Sequence, residues 1–295
     1  MKPVSFNYVQ ASSLEEAVTA LQEADGAGKV IAGGQSLVPL LNMRLARPTL
    51  LVDINRLNLG HIRIESGNVV VGATVRQNAL ERNPELRVSV PLLAKCVPFI
   101  GHPQTRNRGT VVGSIVHADP SAELPLVATV LDAEVEVFGP SGTRTVSIHD
   151  MYFGYMTTSL APDDIAVAVR FHPSESKAAG YGFAEVSRRH GDFAIAAAAC
   201  ELALTENEEI AGLRLALGGV HPIPLRLFDL EQQVLGQKIS VDLIRELAYL
   251  ACRDLEPDGD LNASGEYRKH LARVLTERVL RSAWQECLER GGKSR

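Results

Sequence analysis

Cysteine is scarce and scattered: Cys96, Cys200, Cys252 and Cys287 are the four in 295 residues, and no two form a C-x-x-C pair. That spacing excludes a zinc ribbon, a dithiol redox motif and an iron–sulfur cluster held by this chain alone, and makes four buried thiols the expectation. The eight histidines are equally dispersed, so no metal site is expected. Long apolar runs are missing too. Phe193–Leu204 reaches about half the ~20 residues that span a bilayer, and the Met-Lys-Pro start lacks the apolar stretch of an export signal. The expectation is a cytoplasmic protein without a membrane span. Positive charge is short as well, with 30 Lys and Arg against 35 Asp and Glu, a net charge of −5. Neutralising phosphates needs a basic face, so nucleic acid is not an expected partner, and the run Arg106-Asn107-Arg108 is too short to reverse this. No G-x-G-x-x-G is present, and no acidic residue ends a second strand in the Rossmann relation, which disfavours a nicotinamide fold.

What remains, 45% hydrophobic and 22% charged, is the composition of a globular chain longer than one core usually supports, so two domains are expected. Residues 1 to about 57 read as a small α/β unit. Ser13 with Glu16 forms a capping box, and Leu14, Ala17, Val18 and Leu21 recur on one helical face. Lys29–Ala32 is a strand, Gly33-Gly34 a turn and Ser36 an N-cap; Leu37, Leu40, Leu41 and Leu45 form the buried face of a second helix, and Leu50–Ile54 returns as a strand. A second subdomain, about 58–174, carries strands at Val69–Gly72, Glu134–Phe138, Thr143–Ile148 and Ile165–Phe171. Within it Ile100–Ser114 reads as a long polar loop of the functional kind, and Tyr152, Phe153 and Tyr155 as the core aromatics of a helix. The polar segment His172–Lys177 marks the boundary, so a second domain is predicted over 175–295. It has strands at Gly182–Ser187, Ile195–Leu204 and Ala211–Leu217, then a helix capped by Ser240 with Leu243, Ile244, Leu247 and Leu250 on one face. Leu271, Val274, Leu275, Val279 and Trp284 mark a last helix. The expected class is α+β, ending in a small antiparallel sheet with a helical bundle.

Two segments carry chemistry. In Ala32-Gly33-Gly34-Gln35-Ser36 adjacent glycines let the backbone bend and approach a ligand, and Ser36 offers a hydroxyl at a helix start, an arrangement suited to a pyrophosphate. By themselves these five residues read first as a strand-to-helix turn that needs glycine, and second as a cradle. In Thr110-Val111-Val112-Gly113-Ser114, backbone donors around Gly113 and the hydroxyls of Thr110 and Ser114 form another cradle; a glycine turn with Ser114 as helix cap is the plainer reading. Glu123, just downstream, is able to accept from a sugar hydroxyl. Two cradles roughly eighty residues apart suit a dinucleotide stretched between two subdomains. His102 and His117 flank the second one, and Arg188-Arg189-His190-Gly191-Asp192 reads equally as a solvated strand end or as an edge facing a ligand or partner.

The segments AGGQSLVPLLNMRLARPTLLVDINRL, IGHPQTRNRGTVVGSIVHADPSAELP and SRRHGDFAIAAAACEL resemble the FAD-binding medium subunit of the carbon monoxide dehydrogenase and xanthine dehydrogenase family of molybdenum hydroxylases, in that family's order and at its spacings over nearly the whole chain. The resemblance implies a vanillyl-alcohol-oxidase-like (PCMH-type) FAD-binding domain of two α/β subdomains, followed by a CO-dehydrogenase-flavoprotein-like domain. The family's A-G-G-H/Q-S loop, which contacts the FAD pyrophosphate, is matched by Ala32, Gly33, Gly34, Gln35 and Ser36. Its T-I-G-G-N/S loop is matched by Thr110, Gly113 and Ser114 with Val111 and Val112 between, and its acidic partner by Glu123. Val112 departs from the pattern by standing at the first glycine, and Ala184-Glu185 by occupying a place where members often carry lysine. Also implied are a small partner subunit with two [2Fe–2S] clusters and a large one with the molybdenum cofactor, assembled as a heterotrimer or a dimer of heterotrimers. On this reading the chain is the flavoprotein subunit of an oxidoreductase. It passes electrons from the clusters through FAD to an external acceptor, with no substrate-transforming residue of its own.

Two other readings share the fold. A free-standing FAD-dependent reductase demands a substrate cleft with its own acid, and the sequence nominates none. A flavin-free assembly factor has Val112 as its one hint. The substrate of the complex, whether carbon monoxide, purine, N-heterocycle or aldehyde, is chosen by residues on another chain and is not legible here.

Overall fold

A computed structural model describes residues 2–176 and 178–292; Lys177, in the polar segment expected to separate the domains, lies outside them. The chain begins with β1 (Asn7–Gln10), α1 (Leu14–Glu23), β2 (Gly28–Ile31), α2 (Leu37–Asn42) and β3 (Leu50–Asp53), whose strands form a parallel sheet in the order β1-β3-β2. Ala17, Val18 and Leu21 bury one face of α1. The Ser13 hydroxyl accepts from the Glu16 N–H, but the return arm is displaced by one residue: the Glu16 carboxylate takes the N–H and hydroxyl of Ser12 at 2.7 and 2.6 Å. The cap contributes about 1 kcal/mol. Helix α2 departs from expectation. Only Leu41 is buried on it, and Leu45 lies beyond its end, 72% exposed, because the chain reverses through Arg44 in the left-handed region (φ 60°) before a fourth leucine can come round to the core side.

The second unit contains β4 (Ile62–Glu65), β5 (Asn68–Gly72), α3 (Gln77–Arg82), α4 (Pro84–Ser89), α5 (Pro91–Cys96), α6 (Pro103–Arg106), α7 (Val111–His117), α8 (Glu123–Val130), β6 (Glu134–Gly139), β7 (Gly142–Ser147), β8 (Tyr152–Gly154), β9 (Thr157–Thr158) and β10 (Ile165–Phe171). Five of these strands pair antiparallel in the order β4-β5-β10-β6-β7. Three helices open on proline, where the missing N–H would have had no helical partner. Two expectations are corrected here. Ile100–Ser114 is not a loop: α6 and the first turn of α7 occupy most of it. Tyr152, Phe153 and Tyr155 lie on a two-stranded hairpin, not a helix, so the alternation of a strand buries Tyr152 and turns Phe153 outward.

The last unit runs β11 (Gly180–Val186), β12 (Ala196–Leu204), β13 (Ile210–Gly218), β14 (Leu225–Arg226), α9 (Phe228–Gln233), α10 (Val241–Arg253) and α11 (Gly265–Gly292), with the four strands antiparallel in sequence order. Strand β12 is buried on both faces. Ala197 and Ala199 join the core of the preceding units, while Ala196, Ala198, Cys200 and Leu202 face the terminal helices. Helix α11 packs on β11, β12 and α10, and Val274, one of the apolar positions that mark it, is 39% exposed. Gly180 and Gly182 allow the close approach, since a Cβ on either would strike the carbonyl oxygen of Ala283 or Val279 in α11. Asp132, in a left-handed turn (φ 47°), binds Arg214 at 3.2 Å and Arg226 at 2.8 Å across the junction, and also His149. All four cysteines are buried, and burial lifts each thiol above its usual range. Among the described residues no helix is long and apolar enough to cross a membrane.

Candidate functional site

Residues 32–36 leave β2 and residues 108–114 lead into α7, and the fold brings the two segments into direct contact. A Cβ on Gly33 would sit 2.6 Å from the Arg108 carbonyl oxygen, 2.8 Å from Gly109 Cα and 2.9 Å from Thr110 N. The contact is backbone on backbone, which only glycine permits. Its far side is held by the start of α3: Gln77 N–H donates to Gly109 O and Val111 N–H to Val75 O, while a Cβ on Gly109 would meet the Gln77 amide oxygen at 2.8 Å.

Along this seam, among the described residues, the backbone N–H groups of Gly33, Gly34, Gln35, Ser36, Thr110 and Val112 donate to no acceptor in the chain. Thr110 caps α7, its hydroxyl accepting from Gly113 N–H at 3.1 Å. Ser114 is already inside the helix, with its N–H on Thr110 O; the capping role expected for Ser114 belongs to Thr110. Gly113 is required by that cap, because a Cβ there would meet the Thr110 hydroxyl at 2.5 Å. Ser36 makes no side-chain cap either, so its hydroxyl stays unengaged. Val112 is 2% exposed and belongs to the core, so its branched side chain does not obstruct the seam.

A side-chain network that sequence reasoning missed ties the seam together. Arg76 donates to the Arg108 carbonyl at 2.5 Å and to Asn55 Oδ1 at 2.6 Å. Asn55 donates onward to the Ala32 carbonyl at 2.9 Å and to Asp53 Oδ1 at 2.6 Å. Tyr8 completes the chain with a short bond to Asp53. The legible signal was Asp53-x-Asn55 directly after a strand, a spacing at which Asx side chains bond their own backbone, as Asn55 N–H to Asp53 Oδ1 does at 2.8 Å. For Arg76, twenty-one residues further on, no local signal exists.

Glu123 is not among the groups in contact at the seam. It is 5% exposed, and burial pushes its carboxyl up to about 7, assisted by Asp119. Its neighbours are Cys96 and Glu185, whose carboxyl rises to about 8 through burial and the proximity of Glu123. Glu185 Oε2 is buried with no hydrogen-bond partner. Glu185, in the Ala184-Glu185 pair where the resembling family often carries lysine, thus has a partly buried carboxyl that Glu123 raises further by like charge. His102 packs on His190, rings 6.2 Å apart, and Gly191 lies against it, so the 188–192 segment touches the residues flanking the second loop. His117 ends α7, where burial draws its imidazole below the usual range.

The seam suits a dinucleotide diphosphate: unpaired N–H groups lie on both sides of it, and the cation of Arg108 stands close to that of Arg76 beside it. Comparison with known proteins identifies the domains. Residues 4–173 match the FAD binding domain in molybdopterin dehydrogenase, and residues 181–283 the CO dehydrogenase flavoprotein C-terminal domain. The 6-hydroxypseudooxynicotine dehydrogenase complex subunit alpha of Paenarthrobacter nicotinovorans is 38% identical over 96% of each chain. The glyceraldehyde dehydrogenase medium chain of Sulfolobus acidocaldarius is 35% identical over 95% of this chain and 99% of its own. Among solved structures, carbon monoxide dehydrogenase from Hydrogenophaga pseudoflava superposes with a TM-score of 0.93 at 33% identity, covering 97% of this chain and 100% of that one. The class is therefore an FAD-binding oxidoreductase subunit. More narrowly, the chain belongs to the FAD-binding medium-subunit family of molybdenum hydroxylases, with the carbon monoxide and xanthine dehydrogenase flavoprotein subunits.

Proposed function

We propose that this chain holds FAD across the seam and serves as the electron-transferring subunit of a heterotrimeric molybdenum hydroxylase. In this assignment residues 1–174 form the FAD-binding domain and 175–295 the CO-dehydrogenase-flavoprotein-like domain. The observation that carries it is the meeting of two glycine segments, each with unpaired backbone donors, within a domain matched to FAD binding. Gly33, Gly34, Gln35 and Ser36 donate to one side of the pyrophosphate, and Ala32 delivers them from β2. Thr110, Val111, Val112, Gly113 and Ser114 form the other side, with the Thr110 and Val112 N–H groups as free donors and the Thr110 hydroxyl fixing the helix start. Glu123, whose carboxyl burial raises to about 7, is able to accept at a sugar hydroxyl and, in its protonated form, to donate as well. FAD, when bound, supplies a carrier that takes electrons singly and releases them in pairs.

The electrons come from [2Fe–2S] clusters on a small partner subunit, fed by a molybdenum cofactor on a large one, and leave to an external acceptor. Relatives named as a medium chain and as a complex subunit support that division. The test is the visible absorption spectrum of the natively purified protein before and after heat release of its cofactor, with a gel of accompanying chains. Released flavin, a broad iron–sulfur absorption and two further bands are expected. A colourless single chain that takes up no FAD overturns the assignment.

A further inference from the structure

The seam is joined in two ways of different kinds. Its backbone contacts, Gly33 on Gly109, Gln77 N–H on Gly109 O and Val111 N–H on Val75 O, are made by main-chain atoms and require only that Gly33 lack a side chain. The second connection is made entirely by side chains. One guanidinium, Arg76, touches the carbonyl of Arg108 in the second loop and, through Asn55, the carbonyl of Ala32 in the first. Arginine's planar fork suits that span, since it presents donors in fixed directions to two acceptors at once. The positive charge also lies where it is not fully balanced. Arg108 is near enough to depress Arg76 further below its usual range, beyond the effect of burial, and Asp53 is the one acid that opposes this. Asp53 is itself engaged by Tyr8 and Asn55. Two cations and one occupied carboxylate leave an excess of positive charge at the point where the two loops meet, and an anion laid along the seam relieves it.

We propose that Arg76 is a positioning residue for FAD: by bridging the Arg108 carbonyl and Asn55 it couples the two glycine loops, so that they grip the diphosphate as one unit. This rests on the assignment of the loops to FAD made above. Without the bridge each loop keeps its own donors but not their mutual spacing, so affinity falls while the fold persists.

The test uses the full chain in its native complex, with FAD removed and returned, and reads dissociation constants by flavin fluorescence for FAD and, by competition, for ADP, which carries the diphosphate without the flavin. Arg76→Ala and Asn55→Ala are each expected to weaken FAD roughly tenfold or more, the scale of a lost charge-assisted hydrogen bond. ADP should weaken in parallel. The double variant should be no weaker than the worse single one, because both remove the same bridge. Arg76→Lys should fail to restore affinity, since one ammonium does not reproduce the fork. A merely structural role would lower the unfolding temperature of the FAD-free protein and leave the dissociation constants of the folded fraction at wild-type values, which overturns the proposal. Additive single effects, or full rescue by lysine, overturn it too. Gly33→Ala separates this failure from that of the parent assignment. If Gly33→Ala binds FAD normally, the loops are not the site. If Gly33→Ala loses FAD and the Arg76 and Asn55 variants do not, only the coupling is wrong.

Discussion

Glycine brings backbones into contact at two places in this molecule, with opposite consequences. At β11, Gly180 and Gly182 let α11 lie directly on the strand, and the surroundings are a closed core in which β12 is buried on both faces. At the seam, Gly33 lets one loop lie on another, but the N–H groups around the contact are left without acceptors. At β11 the backbone groups are paired along the ladder with β12, whereas the N–H groups of residues 33–36 are half-exposed or exposed and open to an acceptor from outside the chain. The residue type alone does not separate the two; the state of the neighbouring hydrogen bonds does.

The contrast is breakable from both ends. Gly182→Val drives side-chain carbons into the α11 backbone and is expected to destabilise the protein by about 3 kcal/mol, measured by urea unfolding, with FAD affinity per folded molecule little changed. Gly33→Ala should do the reverse: flavin content falls to a small fraction of wild type, while unfolding of the FAD-free chain shifts by about 1–2 kcal/mol. If the two variants behave alike, the distinction between ligand seam and packing seam fails. Thr110→Val removes the cap on Gly113 N–H and should cost about 1 kcal/mol, visible as a lower unfolding temperature in the absence of FAD.

The last expected effect is one of pH. Glu185 is raised from 4.5 to about 8 in the folded chain, so the unfolded state gains ionisation first. Stability is full below about pH 4.5 and declines as pH rises through about 8. Glu185→Gln should flatten part of that decline in unfolding temperatures taken between about pH 5 and 9; an unchanged slope would mean the carboxyl is better solvated than its surroundings indicate.

Much of the architecture was legible because it rests on local rules. The Ser13 and Ser240 caps, the alternation of Glu134–Phe138 and the apolar run of β12 each announce an element within a few residues, and each lies where the periodicity placed it. The failures share a cause in tertiary context. Tyr152, Phe153 and Tyr155 fit a helix as well as a hairpin until the partner strand β9 is known. Leu45 extends a helical pattern that the turn at Arg44 interrupts. Strand β4, half exposed on the sheet edge, lacks a buried face strong enough to mark it. At the candidate site the two glycine segments stood out by composition, but Arg76 and Asn55 act through contacts 21 residues apart and more, and the pairing of Glu123 with Glu185 spans two domains.

The four thiols have a practical corollary. Thiolate is the form that reacts with maleimides and oxidants, and here every native cysteine is buried with its proton held more tightly than usual. The unmodified chain therefore offers a silent background for labelling. A single cysteine introduced at Phe153, which stands 72% exposed on its hairpin, would be the one reactive handle for a spin probe or fluorophore.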